Sequence, residues 1–467
     1  MAAPISPETL HLSVHELSGK IRKREISPVA LATAYLDRLE RVGPSLGAVV
    51  TVTRDLAMDE ARTAEAEIAA GNWRGPLHGI PYGVKDLLAT RGIPTTWGAE
   101  PFREQVFDDD ATVVRRLREA GAVLIAKLAM VELAGALGYA NPDASFTGPG
   151  RCPWNVNFWS GGSSAGPGAA TAAGLVGFSI GSETSGSIIT PAAYSGVSGL
   201  RPTYGRVSRH GAMPLCGTLD KLGPMCRTAV DCGLVMAAIA GADPLDPTTV
   251  DRRWRPPHFA RRFRIGVLRG AAENAQLEVR KNFEEAVSVL RSFCDVTDDV
   301  PFPDFPYGPA VTTIVEAEAA SAFRDLIESG GTRRLRAVND KRGGFAGSRV
   351  LAVDYLQSMR LRAPVQEALD ELCSHYDAVV APSRQTVASP VGVDFDRAYP
   401  GIGGGPEVIP AGNLAGQPAI SVLSGFGQNG LPTGIQFQGR AFADETLVAL
   451  AAEYQRRTDW HTRRPPV

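Results

Sequence analysis

The chain has 467 residues, 44% of them hydrophobic and 21% charged, with a formal net charge of −2. That length allows one large α/β domain or two domains, and the composition excludes wholesale disorder. The near-neutral charge gives no electrostatic ground for binding nucleic acid or an anionic membrane, and no apolar run has the length of a membrane span.

Met1 to Ser18 carries polar and charged groups throughout and no apolar signal-peptide core. Ser27-Pro28 opens a helix by the N-cap and proline-at-N1 rule, with Leu31, Tyr35, Leu39 and Val42 at helical spacing up to Gly43. Ala57 to Ala70 reads as a second helix, stopped by Gly71. Pro76 to Lys85 reads as a turn feeding a short buried strand. An amphipathic helix over Ala111 to Ala120, ended by Gly121, leads into a continuous apolar strand from Ala122 to Ala126.

Pro167 to Gly174, nearly all Ala and Gly, predicts a tightly packed helix, and Leu175 to Ile180 the strand after it. Phe263 to Leu268 is a further strand, followed by a helix from about Glu278 to Phe293. Asp377 to Pro382 and Ala419 to Val422 read as two more buried strands. This alternation predicts an α/β fold with a largely mixed sheet. Asp243 to Arg262 reads as a surface crossing, and Arg333 to Gly347, basic and glycine-containing, as an exposed loop. The six cysteines form no C-x-x-C pair and no zinc-finger spacing with histidine, which points to a reducing compartment, so the expected location is cytoplasmic.

The chemistry gathers on three side chains. Ser163 and Ser187 lie in glycine-rich turns, Gly161-Gly162-Ser163-Ser164 and Thr184-Ser185-Gly186-Ser187, with the small-residue helix between them. A serine hydroxyl needs a base before it attacks a carbonyl. None of the seven histidines sits in a pattern that supplies one. Lys85, flanked by Ile80, Pro81, Tyr82 and Val84, is the alternative, because an apolar surround penalises the ammonium form and lowers its pKa. The backbone N–H groups of Thr184, Ser185, Gly186 and Ser187 are candidate oxyanion donors. A second hydroxyl at Ser163 is suited to pass a proton between lysine and nucleophile. Taken singly, these features have plainer readings. Lys85 could pair with Asp86 at a strand end, Ser187 could be an N-cap, and Gly-Gly-Ser-Ser could be a flexible turn.

Together the segments resemble the amidase signature family of serine hydrolases. The likeness runs through Gly75-Pro76-Leu77-His78-Gly79-Ile80-Pro81, Lys85-Asp86, Asp110-Ala111-Thr112-Val113-Val114, Gly161-Gly162-Ser163-Ser164 and Gly186-Ser187-Ile188. It continues through Pro191-Ala192-Ala193 and Gly199-Leu200-Arg201-Pro202-Thr203-Tyr204-Gly205-Arg206, and resumes at Pro410 to Pro418 and Gly430-Leu431-Pro432-Thr433-Gly434. The resemblance implies one α/β domain over 1–467, with a mixed central β-sheet flanked by helices on both faces. Within it lie an N-terminal helical segment (1–72), the signature core (73–232), the surface crossing (243–262) and the remainder of the sheet and pocket cover (263–467). It implies Lys85 as general base, Ser163 as bridging serine in cis geometry and Ser187 as acylated nucleophile, with Thr184 to Ser187 as the oxyanion hole. No metal and no organic cofactor are implied.

Three departures from the family pattern bear on the substrate. Glu183-Thr184-Ser185-Gly186-Ser187 stands where the family has Asp-Thr-Gly-Gly-Ser, and Ile188-Ile189-Thr190 lacks the arginine common after the nucleophile. The pocket segment holds the small and apolar residues Leu133, Ala134, Gly135, Ala136 and Leu137, to which Trp159, Cys216 and Ile402 to Gly405 are added as expected walls. The expectation is a roomy apolar pocket without a grip for a substrate carboxylate. The resulting reading is a stand-alone hydrolase of small hydrophobic or aryl amides, with carbamates (urethanes) and esters as further substrates, acting as monomer or homodimer without nucleic acid or membrane. The alternative is the glutaminase-type A subunit of a glutamyl-tRNA amidotransferase.

Overall fold

The computed structural model describes residues 5–255 and 262–467. Among the described residues thirteen strands form: β1 (Val49–Val52), β2 (Pro81–Lys85), β3 (Val123–Leu128), β4 (Arg151–Cys152), β5 (Asn155–Trp159), β6 (Phe178–Glu183), β7 (Ser198–Arg201), β8 (Lys221–Cys226), β9 (Phe263–Leu268), β10 (Cys294–Val300), β11 (Ala378–Pro382), β12 (Ala419–Phe426) and β13 (Pro432–Gln438). Eleven make one mixed sheet, in the order β1-β3-β2-β6-β8-β7-β12-β13-β11-β9-β10, while β4 and β5 form a separate hairpin. β2 runs parallel to both β3 and β6, whereas β8, β7, β12 and β13 pair antiparallel with their neighbours. Every residue of β2, β3, β6 and β8 is buried. The expected single α/β domain with a mixed sheet between helices is what the chain forms.

Most predicted elements stand within a few residues of their expected ends, and the shifts have local causes. The helix opened by Ser27 runs from Pro28 to Leu46, with the Ser27 side chain accepting the Ala30 N–H; it passes Gly43 and Pro44 and ends at Gly47, whose φ is 55°. Glycine alone takes that left-handed geometry without penalty. The strand expected over Leu175 to Ile180 is β6, which begins later and runs on to Glu183.

The small-residue helix Ala165–Ala172 is fully buried. A Cβ on Gly166 would lie 2.5 Å from both the Ala129 N and the Ala48 O, so bare backbone is what fits there. All six cysteines are buried and free. No described helix is long and apolar enough to cross a membrane.

Of the two surface readings, the crossing is largely exposed over its described residues, and the loop needs correction. In the expected crossing over 243–262, Asp243 and Asp246 are buried and bonded to Ser208 Oγ and to the Arg209 N–H, so its first part is fastened down. Residues 256–261 of that segment, His258 among them, lie outside the described residues.

The expected exposed loop over Arg333 to Gly347 instead contains the helix Asp340–Gly347, docked on the segment that follows β3. The buried Glu132 carboxylate accepts the N–H groups of Arg336 (2.8 Å) and Ala337 (2.7 Å). A Cβ on Gly343 would overlap the Leu137 carbonyl, so its glycines serve contact with the protein, not looseness.

Candidate active site

β2 and β6 are parallel neighbours, so their carboxyl ends lie side by side, the usual place for a site in an open α/β sheet. Lys85 ends β2, and Ser182 and Glu183 end β6. Lys85 is fully buried, and its Nζ lies 2.7 Å from Ser163 Oγ and 2.8 Å from Ser182 Oγ. Burial brings its pKa down to about 7, against the opposing pull of Asp220 and Glu183. At neutral pH a large fraction of Lys85 is thus the free amine that a base requires. The carboxylate beside it in sequence, Asp86, is engaged elsewhere: its Oδ1 pairs with Lys127 at 3.2 Å.

The two serine turns are tied together. The Gly162–Ser163 peptide is cis, as the resemblance implies. Ser163 is buried, and its carbonyl accepts the Val131 N–H at 3.1 Å. Ser164 Oγ donates to the Ser182 carbonyl (3.1 Å) and accepts the Ser182 N–H (3.3 Å), while the Ser164 N–H reaches the Ser187 carbonyl at 3.4 Å. Lys85 and Ser163 are in direct contact; among the described residues no side-chain hydrogen bond joins Ser163 to Ser187. Such contacts commonly tighten only when substrate is bound.

Ser187 is half-buried, on a turn held from both sides. Glu183, fully buried, accepts the N–H groups of Ile188 (2.8 Å) and Ile189 (3.0 Å) just beyond Ser187. On the other side, Thr184 Oγ1 donates to Asp220 Oδ1 at 2.6 Å, and Asp220 Oδ2 accepts the N–H groups of Leu215 and Cys216. No protein group among the described residues takes the N–H of Ser185, Gly186 or Ser187, so these donors are free for an incoming oxygen. The longer Glu183 thus spans from the turn to Arg201 (3.1 Å) and Asn413 (2.8 Å) in the core.

The expected pocket residues divide. Trp159 lines a cavity of about 750 Å³ that also contains Ser187, Ser185, Tyr139, Tyr194, Phe395, Tyr399 and Ile402 to Gly405. Ala134 lines a second cavity of about 240 Å³, with Ser182, Thr184, Leu87, Met213 and Leu222. Leu133, Gly135, Ala136, Leu137 and Cys216 line neither. Leu133 and Cys216 are fully buried in the core behind them, and Gly135 packs against the Tyr139 ring.

The larger cavity is not apolar throughout, since Arg384 and Glu407 also line it, and both are exposed. The expectation of an apolar pocket is therefore met only in part: aromatic rings line the cavity, and so do these two charged side chains. Arg384 stands in a loop after β11, and nothing in its local sequence places it opposite Ser187.

A family model described as Amidase matches residues 30–448. The A subunit of the glutamyl-tRNA(Gln) amidotransferase of Moorella thermoacetica is 37% identical, covering 98% of this chain and 99% of its own. Two solved structures superpose over nearly the whole fold. The native peptide amidase from Stenotrophomonas maltophilia gives a TM-score of 0.85 at 31% identity, covering 97% and 98% of the two chains. The amidotransferase A subunit of Thermotoga maritima gives 0.80 at 29%, covering 97% and 96%. The chain therefore belongs to the amidase signature family, whose chemistry is cleavage of carbon–nitrogen bonds.

Proposed function

We propose that this protein is a stand-alone hydrolase of small amides with hydrophobic or aryl groups, acting through an acyl-enzyme on Ser187. Neutral Lys85 takes the Ser163 proton as Ser163 takes that of Ser187, and Ser187 Oγ attacks the carbonyl carbon. The oxygen, now negative, meets the free N–H groups of Ser185, Gly186 and Ser187. Collapse breaks the C–N bond, and the amine leaves with a proton returned through Ser163. Water, deprotonated by the same relay, releases the acid. Carbamates and esters present the same carbonyl and belong to the proposed range. The buried free thiols are in keeping with a cytoplasmic enzyme.

One observation carries the substrate class: the Ser187 cavity is walled by tilted and edge-on rings. Trp159 and Phe395 have centroids 4.9 Å apart, Tyr139 meets Phe395 at 5.6 Å, and Tyr194 meets Trp159 at 6.3 Å. Such walls suit an apolar or aromatic substituent beside the scissile bond.

A second reading, the glutamine-hydrolysing A subunit of an amidotransferase, draws support from the near full-length likeness to proteins of that name. It also draws on Arg384 and Glu407, whose charges are those that would hold the carboxylate and ammonium of an amino acid.

Purified protein offered an anilide, an N-aryl carbamate and glutamine, with and without a partner subunit, separates the two. Aniline release by the protein alone, lost in S187A, supports the first reading. Ammonia from glutamine that depends on the partner, with no aniline from either aryl substrate, overturns it.

A further inference from the structure

Ser182 takes part in no step above, yet it is one of the two groups bonded to the base. Among the described residues, the hydrogen-bond partners of Lys85 Nζ are Ser163 Oγ at 2.7 Å and Ser182 Oγ at 2.8 Å. Ser182 is held firmly: its N–H and carbonyl both bond Ser164 Oγ, which fixes it to the turn that carries Ser163. Its side chain borders the 240 Å³ cavity rather than the one containing Ser187.

The chemistry of a primary amine gives this arrangement a use. A neutral amine has two N–H donors and one lone pair, and it can take the Ser163 proton only when that lone pair faces Ser163 Oγ. An acceptor on the far side, engaging one N–H, restricts rotation about the Cε–Nζ bond and removes orientations in which the lone pair points away. Ser182 Oγ is such an acceptor. Its own O–H must then go elsewhere, since donating to Lys85 would occupy the lone pair. The adjoining cavity is large enough for water to receive it.

We propose that Ser182 is a positioning residue, which accepts an N–H of Lys85 and so turns the lone pair of the amine toward Ser163. This rests on the reading of Lys85 as the base. The charged groups acting on Lys85 are Asp220, before β8, and Glu183, which follows Ser182 at the end of β6.

The test compares wild type, S182A, S182T and S187A on an activated anilide, with acylation followed as a pre-steady-state burst and kcat/KM followed against pH. S182A is expected to fold, to keep its KM, and to acylate about 100-fold more slowly, the size of loss that a misaligned catalytic group brings. Its acid limb is expected to move to lower pH, because the ammonium form has lost an acceptor. S182T, which restores the hydroxyl, is expected to recover most of the rate.

A merely structural serine would lower the melting temperature and the burst amplitude while leaving the limb in place. Wild-type acylation in S182A with an unmoved limb overturns the role of Ser182, as does a folded S182T no faster than S182A. Turnover surviving in S187A overturns instead the reading of the site itself.

Discussion

Glu183 Oε2 accepts the Ile188 N–H at 2.8 Å, one residue beyond Ser187, while the other oxygen of the same carboxylate meets Arg201 at 3.1 Å. One buried side chain thus ties the reactive turn to the centre of the sheet. Burial works against the charged carboxylate, but Arg201, Asn413 and the two N–H groups outweigh it and hold the pKa below its usual value. E183A leaves Arg201 buried without its counter-charge, so we expect a loss of about 3–5 kcal/mol in urea unfolding. E183D keeps the charge but is one methylene short of spanning both sets of partners. It is expected to fold and to lose kcat far more than it changes KM. Wild-type kcat in a folded E183D would show that the turn holds its shape unaided.

Activity and stability are both expected to rise with pH around neutrality. As the proposed base, Lys85 has to be unprotonated, so kcat/KM should climb through an acid limb near pH 7. For stability, the folded-state pKa of Lys85 lies below its ordinary value of 10.5, and that of Lys221 is likewise brought to about 7 by burial. Between about 7 and 10.5 the unfolded chain therefore binds more protons at these sites than the folded one, and stability rises with pH across that window. Below it, both states are protonated and this contribution no longer changes. Each lysine adds a slope of at most about 1.4 kcal/mol per pH unit. K85M removes one of the two slopes in urea titrations. An unchanged slope would mean that Lys85 is not neutral in the fold.

Much of this arrangement is legible in the residues themselves. Glycine turns around Ser163 and Ser187, and apolar neighbours around Lys85, are local signals, and the fold places Lys85 against Ser163 as they imply. What escapes the sequence depends on distant chain segments. Arg384 reaches the Ser187 cavity from the loop after β11, and Ser182 reads as one more strand residue until β2 is laid beside β6. The segment over Arg333 to Gly347 looks loose because glycines and arginines are frequent in loops. Its order comes from Glu132, some two hundred residues away along the chain.

That docking yields a prediction of its own. Asp340 is fully buried, and burial together with the neighbouring Glu132 pushes its pKa up to about 10, so at neutral pH it is the uncharged acid. D340N, neutral and of the same shape, is expected to unfold within about 1 kcal/mol of wild type. E132A strips the acceptor from the N–H groups of Arg336 and Ala337 and should cost about 1–3 kcal/mol. It should also increase protease cleavage between Arg333 and Gly347. If D340N destabilised more than E132A, Asp340 would have to be charged in the fold.

The glycines before Ser163 differ in what they tolerate. Gly161 has φ of 87°, and a Cβ there would lie 2.5 Å from the Pro191 Cα, in the backbone of the helix that follows Ser187. Backbone cannot swing aside as a side chain can. G161A therefore combines a left-handed residue, about 1–2 kcal/mol, with overpacking of about 1–3 kcal/mol, and should unfold early in urea and lose acylation with it. A Cβ on Gly162 would instead meet the Trp159 ring at 2.5 Å. Trp159 forms part of the cavity wall, so G162A should displace that ring and alter KM for aryl substrates more than for small aliphatic amides. Equal effects of G162A on both substrate types would remove Trp159 from the substrate-binding surface.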